Sequence, residues 1–231
     1  MFLFNINYLI YMIPAFILMA LTSWYVKSAY SKWSKVRAGS GLTGAQAAQR
    51  LISSSGLYGV QIQGIAGEMT DNYDPRTKVL NLSQGVANSP SVAALAIAAH
   101  ELGHAMQDSE EYLPLRLRAA LVPAVNIGSN LGWILIMLGL FIGWTQIAWL
   151  GVLVFSAGAV FSLATLPVEL NASARAKRML ADSGIIVGED EQRGVNNVLN
   201  AAALTYVAAL VTAVMQLLYY VSLVGGGRRR S

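Results

Sequence analysis

The chain has no cysteine and very little charge. Without cysteine, neither a disulfide framework nor a metal site built from thiolates can form. Only 12% of the 231 residues are charged and 55% are hydrophobic, whereas an ordinary soluble domain has about 25% charged residues. This composition indicates an integral membrane protein. The net charge of +4 does not indicate a nucleic-acid partner, because the basic residues stand beside the apolar runs.

Three runs that contain no charged residue are long enough to cross a bilayer, which takes about 20 apolar residues per helix. They cover residues 1–26, 119–168 and 195–227. The predicted spans lie near Tyr8–Val26, Leu121–Ile142, Gln146–Leu166 and Ala201–Val224. The short link Gly143-Trp144-Thr145 predicts a hairpin of the middle two. The first run has no basic residues at its N-terminal end, and its apolar stretch is longer than that of a cleaved signal peptide. We therefore expect a membrane anchor that is retained.

Basic residues predict the orientation, because lysine and arginine collect on the cytoplasmic side of a membrane. They follow the first span, precede the second and follow the third: Lys27, Lys32, Lys35, Arg37, Arg116, Arg118, Arg175, Lys177 and Arg178. Arg228-Arg229-Arg230, after the fourth span, disagrees, and we give the larger clusters more weight. We expect a transmembrane anchor (1–26), a cytoplasmic α+β unit (27–118), a transmembrane hairpin (119–166), a cytoplasmic helix (167–195) and a fourth transmembrane helix with a basic tail (196–231).

Local patterns predict a small number of elements in the polar segments. The first is a helix near Gly44–Ser54 capped by Thr43, followed by strands at Tyr58–Gln63 and Lys78–Ser83 with a turn cluster at 72–77 between them. A second helix is expected at roughly 90–107, with Ser89 as its N-cap and Pro90 as its first residue. A third is expected at 167–183, beginning near Pro167 and ending at Gly184. The fold class is therefore mainly α, with about four transmembrane helices and a small α+β unit.

His100-Glu101-Leu102-Gly103-His104 is the most informative motif. On a helix, residues four apart lie on one face, so both imidazoles can reach one tetrahedral zinc ion. Glu101 points elsewhere on the same helix, where it can act on a water molecule as a general base. These are the only two histidines in the chain. The alternative is a surface helix with two ordinary histidines.

A catalytic zinc usually takes three protein ligands, and with no other histidine and no cysteine the third must be an acid. Glu169 is the strongest candidate, because a lone carboxylate directly after a membrane span is costly unless it is paired or ligates a metal. Ser173, one turn later, is expected to orient a histidine or Glu169. The alternative for Glu169 is an ion pair with Arg175 or Arg178.

The chain resembles a family at this point. His100 to His104, preceded by Tyr73-Asp74-Pro75-Arg76 and followed by the sequence Leu166-Pro167-Val168-Glu169-Leu170-Asn171-Ala172-Ser173, is similar to the bacterial membrane zinc-dependent neutral metallopeptidases of the YugP type. More distantly it resembles the membrane HExxH proteases of the heat-shock and prenyl-processing kind. The resemblance implies a peptidase with one Zn²⁺ per chain, held by His100, His104 and Glu169, with Glu101 as base. Asn171 departs from the aspartate common in the family.

We expect a peptide or membrane-protein substrate that adds as an extended strand to an exposed sheet edge. Val79–Ser83 is the candidate edge, with Asn81 available to fix the peptide, and Arg175 is a candidate contact at the site; a plain structural strand is an equal alternative. Glycines of the second span permit close helix contact within one chain or in an oligomer. The competing hypotheses are an intramembrane site-two-type protease, a non-catalytic zinc-stabilised membrane adaptor, and a transporter.

Overall fold

The computed structural model describes residues 6–226, so the arginines at 228–230 lie outside the described residues. Four stretches of helix are long and apolar enough to cross a membrane, as predicted from the charge-free runs. They are α1 (Ile6–Trp33), α5 (Leu113–Phe141), α6 with α7 (Thr145–Phe155 and Ala157–Asp182) and α8 (Glu189–Gly226). The remaining elements are α2 (Gly44–Ser54), β1 (Gln61–Ile65), β2 (Asn72–Asp74), β3 (Val79–Ser83), α3 (Gln84–Ala87) and α4 (Val92–Ser109). The mainly α class with a small α+β unit is confirmed.

The chain forms two compact units, and several of the long helices contribute to both. One unit takes residues 1–22, 116–167 and 205–231, of which 6–226 are described, and the other takes residues 23–115 and 168–204. The first unit contains most of the apolar helical residues. The second contains the three-stranded sheet and the HExxH helix.

Glycines allow the two helices of the hairpin in the first unit to pack closely. A Cβ added at Gly132 would lie 2.8 Å from the Cα of Phe155, and one added at Gly139 would lie 2.8 Å from the Cα of Ala148. These glycines therefore serve contact between α5 and α6 of one chain. Gly143 has a positive φ of 74° and makes the turn between them, in the predicted link.

The sheet of the second unit differs from the prediction in one important respect. Its strand order is β1-β3-β2, with β1 parallel and β2 antiparallel to β3. β3, predicted as an exposed edge, is the central strand, and Asn81 donates from Nδ2 to Asn72 Oδ1 on β2 at 2.7 Å. The error follows from β2, which is three residues long and lies in a segment rich in turn-forming residues. The prediction that substrate pairs with Val79–Ser83 is therefore wrong.

The local signals at helix ends were partly correct. Thr43 caps α2, as predicted, and the structure adds a full capping box with Gln46. The HExxH helix α4 begins later than expected: Ser91, not Ser89, is the N-cap and accepts from the backbone N–H of Ala94 at 3.2 Å. Ser89 instead donates to the Ser91 hydroxyl at 3.0 Å, so it supports the cap from outside the helix.

Helix α7 does not begin at Pro167, as predicted, but runs through it from Ala157 to Asp182. Proline lacks one backbone donor, and long helices of membrane proteins tolerate this loss because neighbouring groups satisfy the released carbonyl. The uninterrupted helix carries Glu169 and Ser173 directly out of the apolar run. Both side chains are buried, with exposures of 2% and 6%.

The backbones of α4 and α7 approach closely at Gly103, the fourth residue of the HExxH motif. A Cβ added there would lie 3.0 Å from the carbonyl carbon of Ala172 and closer still to its oxygen. Backbone atoms cannot move away as a flexible side chain can. Glycine at this position therefore permits the contact that brings Glu169 towards the two histidines.

We predict that Gly103→Ala lowers the free energy of unfolding by about 1–3 kcal/mol, because the added methyl group overpacks a backbone contact. Thermal unfolding of the detergent-purified protein measures the effect. Gly64→Ala on β1 is the matched control, since a Cβ there meets nothing within 4 Å. Equal midpoints for Gly103→Ala and the wild type would contradict the close approach.

Candidate metal centre

Two imidazoles and one carboxylate converge between α4 and α7. His100 Nε2 lies 3.3 Å and His104 Nε2 lies 3.4 Å from the same oxygen, Oε2 of Glu169. The two rings are nearly perpendicular, at 85°, with centroids 4.9 Å apart. The candidate ligand atoms of the three residues all lie within 4.8 Å of one another. The helical spacing of the histidines and the closeness of Glu169 are thus as expected from sequence.

The other nitrogen of each imidazole has its own partner. His100 Nδ1 lies 3.2 Å from the hydroxyl of Ser173, and His104 Nδ1 lies 3.0 Å from Oε1 of Gln107. When Nδ1–H donates to these oxygens, each Nε2 keeps a lone pair directed at the shared space. Ser173 was expected in this role. Gln107 was missed, although its position three residues after His104 on the same helix face was a usable signal.

The charged groups of this cluster are buried close together, so each one changes the pKa of its neighbours. Burial alone would lower the pKa of His104, but the hydrogen bond to Glu169 and the charge of Glu101 outweigh it and raise that pKa. Burial raises the pKa of Glu101, and Glu169 adds to this effect against the opposing influence of the two histidines. Glu101 therefore holds a proton more readily than an exposed glutamate does.

The remaining predicted residues lie around the cluster in different roles. Arg175 donates from Nε to Asn171 Oδ1 at 2.7 Å and pairs through Nη2 with Glu110 Oε2 at 2.7 Å. Of the two arginines in the alternative for Glu169, Arg175 and Arg178, the first is thus paired with Glu110. Asn81 bonds to Asn72 within the sheet and is not brought into the cluster.

The donor set fits a zinc ion. Two neutral imidazole nitrogens and one carboxylate oxygen are the ligand types of catalytic zinc, which keeps its fourth position for water or substrate. Among the residues from 6 to 226, this is the group of histidine and acidic side chains close enough together to hold one metal ion. The class of protein that fold and site define is a multi-pass membrane protein with a candidate metal centre of the HExxH type.

Comparison with known proteins agrees with this class. The family described as "Putative neutral zinc metallopeptidase" matches residues 8–225, and the chain belongs to this family. It is also 44% identical over 203 residues to "Putative membrane protease YugP" of Bacillus subtilis (strain 168), a match that covers 88% of this chain and 90% of the relative. No solved structure matches the chain.

We predict that in the metal-free protein His104 titrates above the ordinary imidazole value of about 6.5, and that Glu169→Gln lowers its pKa by removing the negative charge that stabilises the protonated ring. The pairing of protonated His104 with Glu169 stabilises the folded state fully below about pH 6.5, the pKa of an imidazole in the unfolded chain. This stabilisation is lost as the pH rises through the higher pKa that His104 has in the folded state. NMR titration of ¹⁵N-histidine-labelled protein measures the pKa, with only two histidines to assign.

Asp182→Asn is the control for that titration, because it removes an exposed carboxylate from α7, the helix that carries Glu169. It should leave the pKa of His104 in place. A wild-type pKa at or below about 6.5, or one that Glu169→Gln does not move, would contradict the electrostatic coupling.

Proposed function

We propose that the chain is a membrane-embedded zinc metalloendopeptidase in which His100, His104 and Glu169 hold one zinc ion per chain and Glu101 is the general base. The observation that carries the proposal is the approach of both Nε2 atoms to one oxygen of Glu169, at 3.3 and 3.4 Å. Membership in a zinc metallopeptidase family supports it independently. The substrate class is a peptide or a membrane protein, and the lipid bilayer is the second partner.

The chain's own residues suit amide hydrolysis. Zinc bound here would supply Lewis acidity and lower the pKa of a bound water. Glu101 takes the proton of the attacking water as the new C–O bond forms at the scissile carbonyl carbon. It then passes this proton to the nitrogen as the C–N bond breaks. A base works best when its pKa lies near the working pH, and in the metal-free site burial raises the pKa of Glu101.

Two competing hypotheses are less well supported. A non-catalytic zinc-stabilised adaptor has no use for Glu101, whose charge interacts with those of His100, His104 and Glu169 although desolvation opposes it. An intramembrane protease of the site-two type places its motif within a span. Here the motif lies on α4, which is not among the four candidate spans of the described chain. Hydrolysis that a chelator blocks separates the enzyme from the adaptor.

We predict that Glu101→Gln keeps its zinc but loses hydrolysis at least about 100-fold, because proton transfer in the transition state is lost. Glu169→Ala should instead lower the bound zinc well below one per chain, because a ligand is lost. Both are measured on detergent-purified protein by elemental analysis for zinc and by cleavage of a peptide library.

The control for this pair is Asp182→Asn, which removes another carboxylate of α7 from an exposed position. It should retain both zinc and activity. Undiminished hydrolysis in Glu101→Gln would remove the base assignment, and full zinc occupancy in Glu169→Ala would remove Glu169 as a ligand.

We further propose that the active site faces the cytoplasm, since the basic clusters beside the first three spans fall on one side. The absence of cysteine makes this testable with single introduced cysteines. Tyr58, in the sheet-containing unit, and Trp144, in the hairpin turn, are 83% and 61% exposed. In intact cells, a membrane-impermeant maleimide should label Trp144→Cys and not Tyr58→Cys. The reverse labelling would invert the orientation.

A further inference from the structure

The side chain of Gln107 is fully buried, at 0% exposure, and every polar atom of its amide has a partner. Its Nε2 donates to the backbone carbonyl of Val168 at 2.8 Å and to Oδ1 of Asn171 at 2.9 Å. Its Oε1 lies 3.0 Å from Nδ1 of His104. One amide on α4 therefore connects His104 to two positions on α7.

These contacts fix which end of the amide faces the histidine. A backbone carbonyl can only accept, so the NH₂ group must face Val168 and the amide oxygen must face His104. An amide oxygen cannot donate, so the hydrogen bond to it requires a proton on Nδ1 of His104. The neutral imidazole then has its lone pair on Nε2, the atom that faces Glu169.

Asn171 is held in turn by an ion pair. Its Oδ1 accepts a second hydrogen bond from Nε of Arg175 at 2.7 Å, and because arginine only donates, the amide oxygen must point this way. Arg175, 14% exposed, is paired with Glu110, which is 53% exposed. A continuous set of hydrogen bonds thus runs from a surface carboxylate through Arg175, Asn171 and Gln107 to His104.

We propose that Gln107 is a positioning residue, and that it and Asn171 preset His104 in its metal-binding tautomer before any metal arrives. This inference rests on the proposed function in taking His104 as a zinc ligand. It assigns a task to Asn171, namely to offer an acceptor oxygen to both Gln107 and Arg175. Loss of such a supporting partner typically weakens metal affinity about 10–100-fold.

The first test is spectroscopic and needs no metal. In ¹⁵N-histidine-labelled, metal-free full-length protein, at a pH where His104 is neutral, its nitrogen shifts should report the tautomer protonated on Nδ1. Gln107→Met removes the acceptor at similar volume and should give a mixture of tautomers at His104. His100, whose Nδ1 contacts Ser173, should not change. An unchanged His104 tautomer in folded Gln107→Met would overturn the proposal.

The second test is zinc affinity, measured by competition with a chromogenic chelator. Gln107→Met should bind zinc about 10–100-fold more weakly, whereas the exposed control Gln49→Met should match the wild type. Asn171→Leu should weaken binding, and Asn171→Asp, which keeps the acceptor, should stay within about threefold of the wild type. Equal loss in both Asn171 variants, or none in Gln107→Met, would overturn the proposal.

The Asn171 pair and the tautomer measurement on Asn171→Leu keep the test decisive if Gln107→Met does not fold. A wild-type chain that binds no zinc but shows His104 protonated on Nδ1 would remove the proposed function and leave the hydrogen-bond arrangement standing. The two failures are thus distinguishable.

Discussion

The rest of the site depends on the approach of two helix backbones that no side chain separates. Gly103 lies against the carbonyl of Ala172, so α4 and α7 meet closely enough for both histidines of one helix to reach Glu169 of the other. The carboxylate of Glu169 is only 2% exposed, and burying a charge is unfavourable unless a positive charge or hydrogen-bond donors lie beside it. His104 provides that compensation when its ring is protonated, and a divalent cation would provide more of it.

Much of the fold follows from composition and local chemistry. Charge-free runs of membrane length identified the four long helices, and Thr43 as a cap located the start of α2. The errors arose where tertiary context decides. β2 has three residues with turn-forming character and exists through pairing with β3, which thereby becomes a central strand. Pro167 is a common helix start, but inside a long, packed helix one missing donor is tolerated.

The candidate site was predictable to the extent that its chemistry leaves few choices. With two histidines and no cysteine, a third ligand had to be acidic, and Glu169 stood out beside an apolar run. Ser173 followed from helical spacing. The contact of Gln107 with His104 had a signal in the three-residue spacing that was not used. The hydrogen bond from Gln107 to Val168 and the pairing of Arg175 with Glu110 did not follow, because these residues are 61 and 65 positions apart and no spacing rule predicts such contacts.

The most direct test of the central claim is zinc-edge X-ray absorption on the detergent-purified, zinc-loaded chain. If both histidines and Glu169 share one ion, the spectrum will show two imidazole nitrogens at roughly 2.0–2.1 Å together with oxygen ligands. Zinc that shows a single imidazole, or none, would contradict the shared site on α4 and α7.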